Sequence, residues 1–262
     1  LAGAVIVLFM FIMAAAASFT SVDPAAIDVS KSLQPPSWEH PLGTDDLGRE
    51  VLVRMLYGAR ISLLVGFVAV GISTLIGILC GALAGYYGGW VDAVVMRFVD
   101  NMLCFPTFFL ILAVIAFLDP SIWNIMIVIG LTSWMGVARL VRAEFLSLRQ
   151  RDFVLAAQVL GASDARLIFR HILPNAVAPV IVVATINLGA YIAIEATLSY
   201  LGIGLQEPAI SWGVSISDAS GLGYVRSAPF MLLFPSLFLS LAVLAFIFLG
   251  EAAQDAFDPK QH

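Results

Sequence analysis

Long apolar runs separated by short polar clusters organise this chain, and each can be measured against the roughly 20 residues a helix needs to cross about 30 Å of hydrocarbon. Six runs qualify, predicting membrane helices at about 1–21, 61–85, 98–118, 121–139, 174–197 and 228–250. The first carries no charge until Asp23 and no initiator Met, so the natural N-terminus is expected to lie upstream. A cleaved signal peptide is the rival reading, but the run is longer than an h-region of about 7–15 residues. The second run ends in Gly85-Tyr-Tyr-Gly-Gly-Trp90, an aromatic and glycine turn suited to the interface. Pro106 is expected to bend the third helix, and Asp119-Pro120 supplies the polar turn of a hairpin between the third and fourth.

An even number of spans puts both termini on one side, and arginine and lysine choose that side, because short loops rich in them stay in the cytoplasm. With the N-terminus inside, Arg97, Arg139, Arg142, Arg149, Arg151, Arg166, Arg170 and Lys260 are cytoplasmic, against Lys31, Arg49, Arg54, Arg60 and Arg226 outside. The bias concentrates in the connection 140–173 and the residues just before it. Segments 22–60 and 198–227 then face the outside. The stretch Asp46 to Tyr57 is amphipathic and suggests a short helix resting on the outer surface.

Composition agrees: 61% hydrophobic residues, 12% charged residues and a mean hydropathy of +0.99 cannot be buried inside a water-soluble domain of 262 residues. The reading is therefore an all-α, polytopic membrane protein in one domain, residues 1–262. Cys80 and Cys104 fall in predicted helices, where packing is their expected role. His40, His171 and His262 are too scattered for a metal cluster, and no Ser, His and Asp arrangement stands out. The two lysines follow Ser30 and Pro259, so no Gly-Lys-Ser/Thr phosphate loop is present. No catalytic, cofactor-binding or metal residue is expected, and no nucleic-acid partner.

Small residues recur at every fourth position of the second helix: Ala69, Ser73, Gly77, Gly81 and Gly85. Such a stripe permits close helix contact, either inside the chain or against a second membrane subunit. A secondary transporter would want a mid-membrane acid. Glu195 lies 21 residues past Pro174, about 31 Å along a helix and so near the far interface. Asp100 follows Arg97 by three residues, where a local ion pair is expected.

The long cytoplasmic connection reads as two helices joined by a turn. Gly161 stops the first near Leu160, Ser163 caps the second, Asp164 suits its first turn, and Arg166 and Arg170 precede an end at Leu173-Pro174. Ala156 and Ala157 offer a low-profile surface that could seat in a groove. An amphipathic pair lying on the bilayer is the alternative.

Ala156-Ala157, Gly161 and Leu173-Pro174 resemble the cytoplasmic coupling loop, the EAA loop, of permease subunits in binding-protein-dependent ABC importers. Leu155 stands where that pattern has Glu, and His171 where it has Ile. His40-Pro-Leu-Gly43-Thr-Asp45-Asp46-Leu-Gly48-Arg49-Glu50 with Tyr57-Gly58-Ala59-Arg60-Ile61-Ser62 is similar to the C-type permease of peptide importers. So are Ser199-Tyr-Leu-Gly-Ile-Gly204-Leu-Gln-Glu207-Pro208, Ser211-Trp212-Gly213 and the tail Asp255-Ala-Phe-Asp258-Pro259.

The resemblance implies an ABC importer type I permease of the bacterial or archaeal cytoplasmic membrane. It implies a second, homologous permease beside it, two ATPase subunits that bind ATP and Mg below, and an extracellular solute-binding protein above. Ala156, Ala157, Gly161, Ala162, Ser163, Asp164, Arg166, Leu173 and Pro174 are then the ATPase-coupling residues. Asp45, Asp46, Arg49, Glu207 and Trp212 are candidates for an extracellular gate or binding-protein contact, with interface anchoring the alternative for Trp212. Gly77, Gly81 and Gly85 are packing positions. Peptide is the expected cargo, with nickel, nickel chelates and glutathione carried by close relatives. A self-sufficient secondary transporter or channel is the rival from another class.

Overall fold

The computed structural model describes residues 2–257, and these are helical apart from their connections and one isolated bridge between Thr44 and Glu50. Helix α1 (Ala2–Ala16) is fifteen residues of apolar chain, so it covers about 22 Å, and it ends short of the expected residue 21. Met10 and Met13 face the bundle while Leu8, Phe9 and Ile12 remain exposed, the pattern of a helix that meets lipid on its outer side.

Helix α2 (Val51–Tyr87) is 37 residues long and unbroken. Residues 51–57 are therefore its first two turns, not a separate helix on the outer surface. Their one charged residue, Arg54, is held by Glu207 and Asp218 of the connection after α9, so the amphipathic pattern marks the polar end of a long helix. Helix α3 (Gly89–Leu103) and helix α4 (Thr107–Ile115) meet at 81° across Pro106, which has no amide hydrogen to continue the ladder. Cys104 sits at this break and is exposed, rather than packed inside a helix.

Helix α5 (Ile122–Thr132) and helix α6 (Met135–Leu148) follow, bent by 40° at Ser133 and Trp134. Helix α6 runs nine residues past the expected end at 139, so Arg139 and Arg142 stand on a helix flank rather than in a loop. Arg139 pairs with Asp100 and Arg142 with Asp92. Asp100 thus finds its partner on the neighbouring helix and not in Arg97.

Helix α7 (Asp152–Val159) ends at Leu160. After it, helix α8 (Asp164–Arg166), a π-helical stretch Leu167–Ile172 and helix α9 (Leu173–Tyr200) run on continuously, so Asp164–Tyr200 is one rod of 37 residues. The second helix of the 140–173 connection does not stop at Pro174. The π stretch lets the Leu173 amide reach Ile168 O, and the helix runs on through Pro174 although that residue adds no amide hydrogen to the ladder. Helix α10 (Trp212–Ala219) and helix α11 (Leu222–Ser227) lie in the outer connection, and helix α12 (Phe230–Phe257) closes the bundle. Asp258, Pro259 and Lys260 lie outside the described residues.

Among the described residues, three unbroken helices are long and apolar enough to cross a membrane, and the bent pairs α3–α4 and α5–α6 bring the number to five if each is one span. The glycine stripe of α2 decides how two of these meet. A Cβ at Gly77 would stand 2.6 Å from Val137 Cβ, one at Gly81 2.5 Å from Ala138 O, and one at Gly85 2.6 Å from Phe145 Cβ. The stripe therefore seats α6 of the same chain, and a second membrane subunit is excluded from it. Ser73 Oγ, in the same row, lies 3.2 Å from Tyr191 Oη.

Replacing Gly81 with Val is expected to push α6 away at a cost of roughly 1–3 kcal/mol. The thermal midpoint in detergent should fall, whereas Gly71→Ala, whose added carbon meets nothing within 4 Å, should leave it unchanged or raise it.

Candidate functional site

The outer segment before α2 and the connection after α9 are drawn together by charge. Asp28 N donates to Leu47 O and Leu33 N to Asp45 O, which fold the outer segment back onto the start of α2. Asp45 then turns the chain by accepting from the amides of Leu47 and Arg49, each at 2.9 Å. Its other oxygen takes the Arg49 guanidinium at 2.5 Å. Arg49 reaches on to Glu207, and Arg54, one helical turn into α2, bonds Glu207 at 3.2 Å and Asp218 of α10 at 2.7 Å. Tyr224 Oη donates to Asp46 Oδ2 at 3.0 Å, adding α11 to the same clamp.

Asp45, Asp46, Arg49 and Glu207 are thus brought together, but Asp45 and Arg49 are buried and unavailable to a partner from outside. Glu207 keeps 45% of its side chain exposed. Trp212 is fully enclosed: its indole donates to Met55 O at 3.2 Å, stacks near Phe238, and lies over Gly58, where a Cβ would approach Cδ1 to 2.7 Å. That burial removes Trp212 from the contact surface and makes it a packing wedge between α2 and α12. Arg54 and Asp218 escaped the sequence reading. The signal was the outer arginines themselves, which run against the positive-inside trend and so need carboxylates.

Burial raises the Glu207 carboxyl, but Arg49 and then Arg54 outweigh it and hold Glu207 below the usual range. Asp218 goes the other way, because its burial is only partly offset by Arg54 and Arg49. The clamp therefore has one carboxylate strongly committed to its arginines and one held reluctantly.

Beneath the clamp, Glu195 of α9 is completely buried. Ser199 donates to it at 2.9 Å and Ser62 of α2 at 3.3 Å. Each serine oxygen also accepts a backbone amide, Leu205 N at 3.0 Å on Ser199 and Trp212 N at 3.5 Å on Ser62. Each hydroxyl can accept its amide on a lone pair and still donate its one hydrogen to the acid. Glu195 thereby ties the outer end of α9 to α2 and to the loop that carries Trp212.

At the opposite end of the bundle lies the elbow between α7 and α8. Gly161 holds φ +82°, in the left-handed region, and its turn is closed by Ala162 N donating to Ala157 O at 3.1 Å. Ser163 occupies the cap position of α8 with no side-chain cap bond. Asp164 accepts from Tyr86 Oη of α2 at 2.7 Å, and Arg149 donates to the Tyr86 carbonyl at 2.5 Å. Val154, Leu167, Ile168 and Ile172 are buried against Phe145 and Val141 of α6, which seats the elbow firmly. Ala156, Gly161, Ser163, Asp164, Arg166 and Pro174 are exposed, and Ala157, Ala162 and Leu173 half-buried. Val159 and Leu160, apolar side chains at the tip, are each 87% exposed. Leu160 stands beside Ala156 and Ala157 on the surface read from sequence, whereas Val159 was not singled out there.

A bent-helix membrane bundle with an outer ionic clamp and an exposed elbow defines a class, the integral membrane component of a transport machine. The chain belongs to the family described as "Binding-protein-dependent transport system inner membrane component", which matches residues 77–262. It is 43% identical to the dipeptide transport system permease protein DppC of Alkalihalophilus pseudofirmus, over 98% of this chain and 84% of that protein. It is 37% identical to the oligopeptide transport system permease protein OppC of Bacillus subtilis, over 98% of this chain and 84% of that one. In fold it is similar to a chain of the MetNI methionine ABC transporter, with a TM-score of 0.58 at 20% identity over 78% of this chain and 96% of that chain. A chain of an amino acid ABC transporter gives 0.56 at 16% identity, over 75% and 90%. The protein is a multi-pass component of the inner membrane.

Linkage sets the pH dependence of the clamp. Glu207, held low, contributes stability above the ordinary glutamate range, and that contribution is lost as pH falls through its depressed pKa. Asp218, pushed up, contributes most in acid and loses its contribution as pH rises through its raised pKa. Glu207→Gln is therefore expected to lower the thermal midpoint at pH 7 more than Asp218→Asn does. Its deficit should close as the pH is taken below about 4, the ordinary carboxylate range. Thermal melts across pH check this, and a deficit of equal size at every pH would refute it.

Proposed function

We propose that this chain forms half of the translocation pathway of an ATP-driven peptide importer and couples that pathway to separate ATPase subunits. The continuous helix Asp164–Tyr200 carries the reading, because it joins the exposed elbow at one end to the Glu195 anchor at the other. A push delivered at Ala156, Ala157 and Gly161 would travel along one rigid rod to the outer loop. Two ATPase subunits, each binding ATP and Mg, would supply that push from the cytoplasm; this chain would bind neither and would catalyse no reaction. Shape rather than charge would make the contact, since Leu155 replaces a Glu and the tip is formed by Val159 and Leu160.

A second, homologous permease would complete the pathway, and an extracellular solute-binding protein would deliver cargo to the face that bears Asp46 and Glu207. Both termini would then be cytoplasmic. The names of the dipeptide and oligopeptide permease relatives support peptide as cargo. Alternating access would follow from rocking of the two permeases as the ATPases close.

The expected behaviour of the assembled importer in liposomes is peptide uptake only with ATP inside the ATPase-facing compartment, and ion-driven uptake by this chain alone would overturn the reading. At the elbow, Gly161→Val should leave ATP hydrolysis running while uptake per ATP falls, because a β-branched residue is strained at φ +82°. Gly161→Asn, which tolerates that conformation, should retain most of the coupling. The ratio of peptide imported to phosphate released measures both variants.

A further inference from the structure

Halfway along α9, Asn187 stands 14 residues from Leu173 and 13 from Tyr200, about 20 Å from either end. Its amide forms no hydrogen bond with the described residues, although a polar group at this depth is costly when it faces lipid. Instead it lines a groove of about 460 Å³ with Tyr191, Ser133, Thr107, Met135 and Ile194. That volume falls within the range of small-molecule sites.

Both helix breaks of the bundle open on this groove. Ser133 at the α5–α6 break and Leu103 and Thr107 at the α3–α4 break all line it, with the Ser133 hydroxyl oxygen itself buried. Irregular backbone at membrane depth persists only where protein buries it or where it lines a wet cavity. One carbonyl freed by the first break, Ser133 O, is taken by Tyr191 Oη at 3.2 Å, while Ser133 Oγ is left without a partner.

We infer that this groove is the cargo-facing wall of the pathway, and that Asn187 hydrogen-bonds the main chain of the passing peptide. The inference rests on the importer reading above. A lipid tail could not satisfy an amide, and a helix of a neighbouring subunit would arrive with its backbone already paired. An extended peptide brings unpaired N–H and C=O groups along its whole length. Asn187 offers one acceptor and two donors, which suits any main chain irrespective of side chain. The flanking Met135 and Ile194 give an adaptable apolar surface for varied side chains.

Two measurements on the fully assembled importer decide this. In a background with Cys80 and Cys104 changed to Ala, the Asn187→Cys thiol should react with a membrane-impermeant maleimide, and a transported tripeptide present during turnover should slow that labelling. Absence of labelling, in a complex that still hydrolyses ATP, would mean that lipid or a partner helix fills the groove and would overturn the inference. Asn187→Leu should lower the maximal uptake rate about tenfold, the effect of one unmade buried hydrogen bond, with ATP hydrolysis maintained. Asn187→Gln should recover part of the loss, and unchanged uptake in Asn187→Leu would refute the assignment. Should the wild-type complex import no peptide, the cargo reading fails by itself, while the labelling experiment still reports whether the groove is wet.

Discussion

A chain immersed in hydrocarbon has no water to satisfy a charge or an interrupted backbone, and this constraint arranges nearly every polar residue of the protein. Glu195 is enclosed by serines that donate to it. The Ser133 carbonyl, released where α5 gives way to α6, is met by Tyr191. Arg142 and Arg139 leave the flank of α6 only to reach Asp92 and Asp100. Against these pairs, an amide such as Asn187 with no partner among the described residues carries information about what lies beyond them.

The same pairs divide the molecule into parts that can move together. The rod Asp164–Tyr200 is fastened at its cytoplasmic end by Asp164 to Tyr86 and at its outer end by Glu195 to Ser62, so both fastenings lead to α2. The glycine stripe then locks α2 to α6 at backbone distance. These three helices form a block that spans the membrane, whereas α4, with its bend at Pro106, makes fewer such ties. The outer clamp sits on top of the block, with Arg49 and Asp45 supplied by the segment before α2, Arg54 by α2, Glu207 by the loop after α9 and Asp218 by α10.

Helix existence was legible from the chain because a long apolar run in a mostly apolar protein leaves little choice of structure. Helix ends were less so. The start of α2 at Val51 and the extension of α6 to Leu148 involve charged residues, and their helical state depends on partners distant in sequence. The elbow was readable to the extent that Gly161 demands a left-handed turn; its continuity into α9 was not, because Pro174 signals a break unless a π stretch precedes it. At the outer site, Asp45, Asp46, Arg49 and Glu207 could be picked out by type, but Arg54 and Asp218 became visible only when 164 residues of chain were closed between them.

By itself the sequence determined a membrane-spanning helical chain, the left-handed turn at Gly161 and the glycine row along α2, since length, hydropathy and side-chain size are local properties. Tertiary structure decided what that row touches, that Trp212 is a buried wedge, and that two broken helices face one groove beside Asn187. These are matters of which surfaces meet, and helix contacts in a bilayer are chosen by close packing and a few hydrogen bonds rather than by the hydropathy that places the helices there.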